Sequence, residues 1–307
     1  MRTIQGSGAF GDIVRQIQTQ LNSQGFNTAG VDGDYGGNTA NAVSGFQTAQ
    51  GMTPTGTVDD VTWASLMQTN VPTVAIRSLQ LTASIEGHGF TLAVGNFDGA
   101  LLTWGIIGFT MQSGEVQQIV LSINASNPEI VTQAFGANSA QLLEIMQDTP
   151  ANQLAWANSI TLPSGSLAQP WRGMFASFGS DPAVQAKQLA LANTQYMVPA
   201  IQLAKSYGLM NELGLALCFD VQVQNGGING PAAALITGQQ TPATTEVQLL
   251  SIIANAVGHS ARPAYVADVL SRKLAIAAGN GLVHGTNYVL VNWGLEVDYQ
   301  AAELTGP

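Results

Sequence analysis

The sequence predicts a mainly α protein: a small three-helix module, then a larger α+β domain with a small β lobe. Three observations predict it. Near the N-terminus Ile13, Ile17 and Leu21 recur four residues apart, which puts them on one helix face. The Ala- and Gln-rich stretch from Pro182 to Tyr207 reads as long helix, whereas Phe90 to Phe109, punctuated by glycine, reads as strand. At 307 residues the chain is long enough for two domains, each with its own core.

In the first part, Val14 joins the apolar face of Ile13, Ile17 and Leu21, and Gly25 stops that helix. Asp32-Gly33 and Gly36-Gly37 predict tight turns, after which Asn38 or Thr39 would cap a second helix carrying Ala42, Val43 and Phe46. A third short helix follows Asp59, with Val61, Trp63 and Leu66. The run Gln68-Thr69-Asn70-Val71-Pro72-Thr73 breaks the helical pattern. The predicted division is therefore a module over 1–68, a linker over 69–77 and a second domain over 78–307.

The second domain opens with the strand-bearing segment. Helical patterns follow at Gln117 to Ser122 and at Ala140 to Gln147, the latter carrying Leu142, Leu143 and Ile145. Pro199 predicts a break in the Pro182 to Tyr207 helix, and Gly208 ends it. Near the C-terminus, Tyr288 to Leu295 is an apolar stretch that reads as core.

The net charge of −10 argues against nucleic acid, which requires a basic face, and favours a cationic ligand. There is no apolar run of 18 or more residues, so no membrane span is expected. Residues 1–20 lack a basic start followed by an apolar core, so no signal peptide is expected either. The single Cys218, in an apolar run, reads as a buried inert thiol. His88, His259 and His284 lie in no zinc-ligand spacing, so no metal and no cofactor are expected.

Only 9% of the residues are charged, so acids in small and apolar surroundings stand out. Between Glu86 and Glu115 the chain places Glu86 and Asp98 in such surroundings, with Thr103 five residues after Asp98 and Gly105 and Gly108 behind. Two carboxylates are what glycoside hydrolysis needs: one protonates the leaving oxygen, the other acts as base or nucleophile. Asp98-Gly99 is also a common turn dipeptide, and Gly-Ile-Ile-Gly-Phe suits any buried strand.

The order Glu86, Asp98-Gly99, Thr103 and Gly105-Ile106-Ile107-Gly108-Phe109 resembles the catalytic segment of the family 46 chitosanases and, more loosely, that of phage-type lysozymes. The resemblance implies a lysozyme-like fold, Glu86 as general acid, Asp98 as the base that activates water, Thr103 as a holder of that water, and inversion of configuration. It also implies that Glu115 contacts a substrate amine, for which a solvated loop carboxylate is the plain alternative. Trp171 through Tyr196 resembles one wall of that family's cleft. Leu217-Cys218-Phe219-Asp220 with Val223-Gln224-Asn225-Gly226 resembles a segment in which the Asp joins a buried ion-pair network; its partners here would be Arg262 and Arg272. The chain departs from that family at Ala100, where Arg is usual, at Asn225, where His is usual, and in a shorter interval between Glu86 and Asp98.

Residues 8–68 resemble the three-helix peptidoglycan-binding module of wall hydrolases, through Leu21, Gly25, Val31-Asp32-Gly33, Tyr35-Gly36, Thr39, Ala42-Val43, Phe46-Gln47, Gly51, Thr55-Gly56, Val58-Asp59, Trp63 and Leu66. By that resemblance Asp32, Asp34 and Tyr35 edge a groove for the glycan or its stem peptide. Asp32 and Gly33 equally suit a purely structural turn. Such a module would tether the hydrolase to its polymer.

Together these readings predict a peptidoglycan hydrolase, a muramidase acting at the bacterial cell wall outside the cytoplasm. The first alternative is a chitosanase with a wall anchor, and the second a wall-binding protein without activity. The expected partner is peptidoglycan or a related amino-sugar polymer.

Overall fold

A computed structural model describes residues 1–87 and 89–305. The chain is mainly helical, with a few short antiparallel strands, and divides into two compact units. One comprises residues 1–85 and 196–307, the other residues 86–195.

The first unit begins with helices Asp12–Ser23, Gly37–Ala49 and Asp60–Met67. Ile13, Val14, Ile17 and Leu21 are buried, as the spacing predicts, against Val43, Phe46, Trp63 and Leu66 of the same small core. Asp59 caps the third helix by accepting from Thr62 N at 2.7 Å. The second helix starts without a side-chain cap at Gly36. Thr39 is instead buried, its hydroxyl accepting from Gln18 Nε2 at 3.1 Å. Gln18 and Gln47 pin the turns of the module: Gln18 Oε1 accepts from Gly33 N at 2.8 Å and Gln47 Oε1 from Gly56 N at 3.0 Å. Each is almost fully buried and satisfies backbone groups that water does not reach.

The stretch expected as a linker is structured. Trp63 Nε1 donates to Asn70 O at 3.1 Å, and a helix already begins at Val74 (Val74–Glu86). The module also packs on the C-terminal segment. Gly6 N donates to Asn292 O at 2.9 Å, and Asn292 Nδ2 to Ser7 O at 2.8 Å. Phe10 meets Trp293 edge-on at 5.1 Å and Tyr288 at 5.8 Å. Arg2 pairs with the fully buried Glu212, donates to Gly294 O at 2.9 Å and lies 4.8 Å from the Tyr299 ring centroid. These contacts join the module to the C-terminal segment directly, beside the segment expected as a linker.

Helix Glu212–Asn225 is the axis of this unit: every residue from Glu212 to Val221 is buried. Helices Glu246–His259 and Val266–Ala278 pack beside it, and a hairpin of Asn280–Val283 and Thr286–Val289 closes the chain's return. Tyr288, Leu290, Trp293 and Leu295 are core residues, as expected.

The second unit holds a three-stranded antiparallel sheet, Ala93–Val94, Thr103–Trp104 and Phe109–Thr110, with six helices from Glu115–Ser126 to Pro182–Ala192. Its core is aromatic. Trp104 stacks on Phe178 at 5.5 Å and lies 5.7 Å from Phe175, while Phe135 meets Phe175 edge-on at 5.1 Å. The segment Thr103 to Phe109 is a hairpin rather than one strand, because Gly105 and Gly108 take positive φ (90° and 71°) and turn the chain. The long helix predicted up to Tyr207 ends at Ala192, gives way to a π-helical segment at Asn193–Met197 and resumes as Val198–Ser206. Pro199 lacks an N–H, and its ring excludes the carbonyl of Gln195 from regular α geometry, which places the irregularity just ahead of it.

Candidate active site

The three residues expected to carry the chemistry fall in one unit. Glu86 is the last residue of helix Val74–Glu86 and is half-buried. Asp98 is exposed in the loop between strands Ala93–Val94 and Thr103–Trp104, and Thr103 opens the second of these strands. His88 lies outside the described residues.

The loop is held firmly. Asp98 Oδ1 accepts from Ala100 N at 3.1 Å, closing a local turn. Its Oδ2 takes no hydrogen bond among the described residues, and neither does Thr103 Oγ1. A carboxylate oxygen and a hydroxyl, five residues apart on a loop and the strand it feeds, each keep hydrogen-bonding capacity that the described residues do not use.

Behind them, Gln188 fixes the hairpin. It is fully buried; its Oε1 accepts from Ile106 N at 2.9 Å and its Nε2 donates to Phe90 O at 3.1 Å. A Cβ on Gly105 would stand 2.5 Å from Gln188 Oε1, so glycine is needed both for the turn and for this approach. Sequence reading placed Gln188 only in a wall helix. The signal that marks it is a lone amide on the apolar face of helix Pro182–Ala192, among the buried Val184, Leu191 and Ala192.

Glu115 is not a solvated loop acid. It is 4% exposed, sits at the start of helix Glu115–Ser126 and accepts from Thr110 N at 2.8 Å. This engagement ties the end of the third strand to the helix.

In the module, Asp32 and Asp34 are exposed but Tyr35 is 2% exposed, its hydroxyl donating to Gly56 O at 3.0 Å. Burial pushes the Tyr35 phenol above its usual range. Tyr35 therefore packs the turn rather than edging a groove. Asp32 Oδ1 accepts from Asp34 N at 2.9 Å and Gln18 Nε2 at 2.7 Å, bonds that hold its carboxyl below the usual value.

In the first unit, Asp220 forms a buried network. Arg272 donates to it from Nε at 2.9 Å and from Nη2 at 2.6 Å, Lys273 Nζ pairs with its Oδ2, and Thr82 Oγ1 donates at 3.0 Å. Burial alone would raise the Asp220 carboxyl, but the two cations outweigh it and hold it far below the carboxylate range. Arg262, expected as a partner, is exposed ahead of the turn Pro263–Tyr265. Lys273 takes that place, because it and Arg272 lie midway along helix Val266–Ala278, where it packs on Glu212–Asn225. Arg262 instead lines a cavity of about 460 Å³ with Gln224, Asn225, Tyr265 and Asp268.

A second buried acid was not foreseen. Glu212 binds Arg77 at 3.1 Å as well as Arg2, and accepts from Glu296 N at 3.1 Å. Its carboxyl is raised by burial despite both arginines, and burial likewise lowers Arg77 to about 10. The Cys218 thiol is pushed up to about 12 by burial, which leaves it inert. Among the described residues no group of three or more His, Cys, Asp or Glu is arranged to hold a metal, and no helix is long and apolar enough to cross a membrane.

Comparison with known proteins agrees with this layout. Residues 10–66 match the putative peptidoglycan binding domain, and residues 89–244 match glycosyl hydrolase family 46. Among solved structures, a family 46 chitosanase of Gynuella sunshinyii in complex with chitotetraose superposes with a TM-score of 0.51 at 16% identity, covering 70% of this chain and 96% of that one. A second, described as a chitosanase complex, gives 0.47 at 19% identity over 69% and 94%. A search of the curated proteins found no match. The family 46 match takes in just over half of the chain, and membership of a glycoside hydrolase family sets aside the reading without activity. The chain belongs to glycosyl hydrolase family 46, with a peptidoglycan-binding domain at its N-terminus.

Proposed function

We propose that this glycoside hydrolase cleaves the β-1,4 bonds of chitosan, a polymer of cationic amino sugars, and is held at a cell wall by its N-terminal module. The observation that carries the proposal is the segment Asp98 to Phe109. It lies within the family 46 match, its order of Asp-Gly, Thr and Gly-Ile-Ile-Gly-Phe resembles that family's catalytic segment, and it is built as a loop and hairpin whose Asp98 Oδ2 and Thr103 Oγ1 take no hydrogen bond among the described residues. The net charge of −10 suits a cationic substrate.

In this mechanism Glu86 gives its proton to the glycosidic oxygen as the bond breaks. Asp98 accepts a proton from water, Thr103 orients that water, and the water oxygen bonds to the anomeric carbon on the opposite face, with inversion. Glu86 ends as carboxylate and Asp98 as carboxylic acid, so the pair exchanges protons with solvent before the next turnover. Asp220, Arg272 and Lys273 act as scaffold. The proposed division is 1–68 for wall binding, 69–77 as connecting segment and 78–307 for hydrolysis.

Peptidoglycan ranked first on sequence; family membership moves chitosan ahead of it. A muramidase stays the second reading, favoured by the peptidoglycan-binding match over residues 10–66. Mass spectrometry of the soluble products from each polymer separates the two. Glucosamine oligomers from chitosan alone are the expected result; muropeptides ending in reducing N-acetylmuramic acid would replace it with the muramidase.

A further inference from the structure

Phe97, immediately before Asp98, is 64% exposed, and it is the only exposed residue among the ten phenylalanines. A lone apolar residue on a floppy surface loop would mean little. This loop is fixed on every side. Asn96 N donates to Thr161 Oγ1 at 2.8 Å, Asn96 Nδ2 to Asn158 Oδ1 at 2.8 Å, and Asn96 Oδ1 accepts from Leu101 N at 3.1 Å. Gly95 N donates to Gly165 O at 3.0 Å, and a Cβ on Gly95 would meet Thr161 Oγ1 at 2.4 Å. A Cβ on Gly165 would stand 3.1 Å from the Phe97 Cβ, so the base of the phenylalanine rests on that turn. Leu101 is held at φ 68°, a conformation that a leucine adopts only when its surroundings impose it.

The fold thus spends strain and close packing to hold one aromatic ring in water next to the proposed base. We infer that Phe97 is a substrate-binding residue whose ring stacks on a glucosamine unit of the chain being cleaved. The inference rests on Asp98 as base. The chemistry fits: one face of a pyranose is a patch of C–H groups, which packs on a phenyl ring, and the ammonium of glucosamine is attracted to the ring's negative face. A neutral N-acetylated unit keeps the first contact and loses the second.

The test is steady-state kinetics on the glucosamine hexamer with the wild type, Phe97→Ala, Phe97→Trp and Asp98→Asn, with Tm measured for each. Phe97→Ala is expected to raise KM by about five- to tenfold with kcat and Tm nearly unchanged, and Phe97→Trp to restore KM. An unchanged KM in Phe97→Ala, with Asp98→Asn inactive, overturns the inference and leaves Asp98 standing as base. Full activity of Asp98→Asn overturns the underlying site assignment, and failure of the wild type to cleave the hexamer overturns glucosamine as the stacked unit.

Discussion

Arg272 Nη2 lies 2.6 Å from Asp220 Oδ1, and neither side chain is more than 1% exposed. An ion pair this deep is strongly coupled: each charge offsets part of the desolvation cost of the other. Asp220→Asn removes the carboxylate that Arg272 and Lys273 share, and is expected to cost about 3–5 kcal/mol in urea denaturation. A loss below about 1 kcal/mol would mean that water reaches the pair.

The two buried acids respond to pH in opposite senses. The Asp220 carboxyl is depressed below its ordinary value of 3.8, so its stabilisation is complete above that value and is lost as pH falls toward the lower folded value. Glu212 is raised above its ordinary 4.5, so it favours the folded state at low pH and loses that contribution as pH rises. Acid unfolding should therefore follow Asp220. Thermal denaturation scanned downward from pH 5 should show Tm falling below about pH 4, with the slope flattened in Asp220→Asn and retained in Glu212→Gln.

Phe10 joins the module to the C-terminal segment through Trp293 and Tyr288. Because Phe10 is half-buried, Phe10→Ala should cost about 2 kcal/mol, less than the ~3–5 typical of a fully enclosed ring. Calorimetry should show one transition moving to lower temperature. Two separated transitions would make the module an independently folding unit.

Gln188→Ala removes the partners of Ile106 N and Phe90 O. Each unsatisfied backbone group costs about 1–3 kcal/mol, and the hairpin that carries Thr103 loses its support. Activity on chitosan should fall through kcat, with Tm lowered as well, and activity at the wild-type level would remove Gln188 from the positioning of the site.

What the sequence made legible was local. Asp98, Thr103 and the following glycines lie within a dozen residues, so their order is visible in the sequence, although the segment reads there as one strand and the hairpin turned at Gly105 and Gly108 does not show; the helical period of Ile13, Ile17 and Leu21 carries the first helix. Long-range choices were not legible. The resemblance names Arg262 and Arg272 as partners of Asp220, and only the inward face of helix Val266–Ala278 shows that Lys273 joins Arg272 there while Arg262 lies ahead of the helix. The packing of Phe10 on Trp293, or of Arg2 on Glu212, joins residues from opposite ends of the chain, and no periodicity records it. The resemblance to a wall-binding module places Tyr35 at a groove edge, yet its side chain is buried and its hydroxyl donates to Gly56 O.

The most direct measurement of the central claim is kcat on the glucosamine hexamer for the wild type, Glu86→Gln and Asp98→Asn, with Tm recorded alongside. Loss of a general acid or base removes about 10²–10⁴-fold in rate, and both variants should show it with Tm and KM near wild-type values. Near wild-type turnover by either one would contradict the assignment of Glu86 as acid or of Asp98 as base.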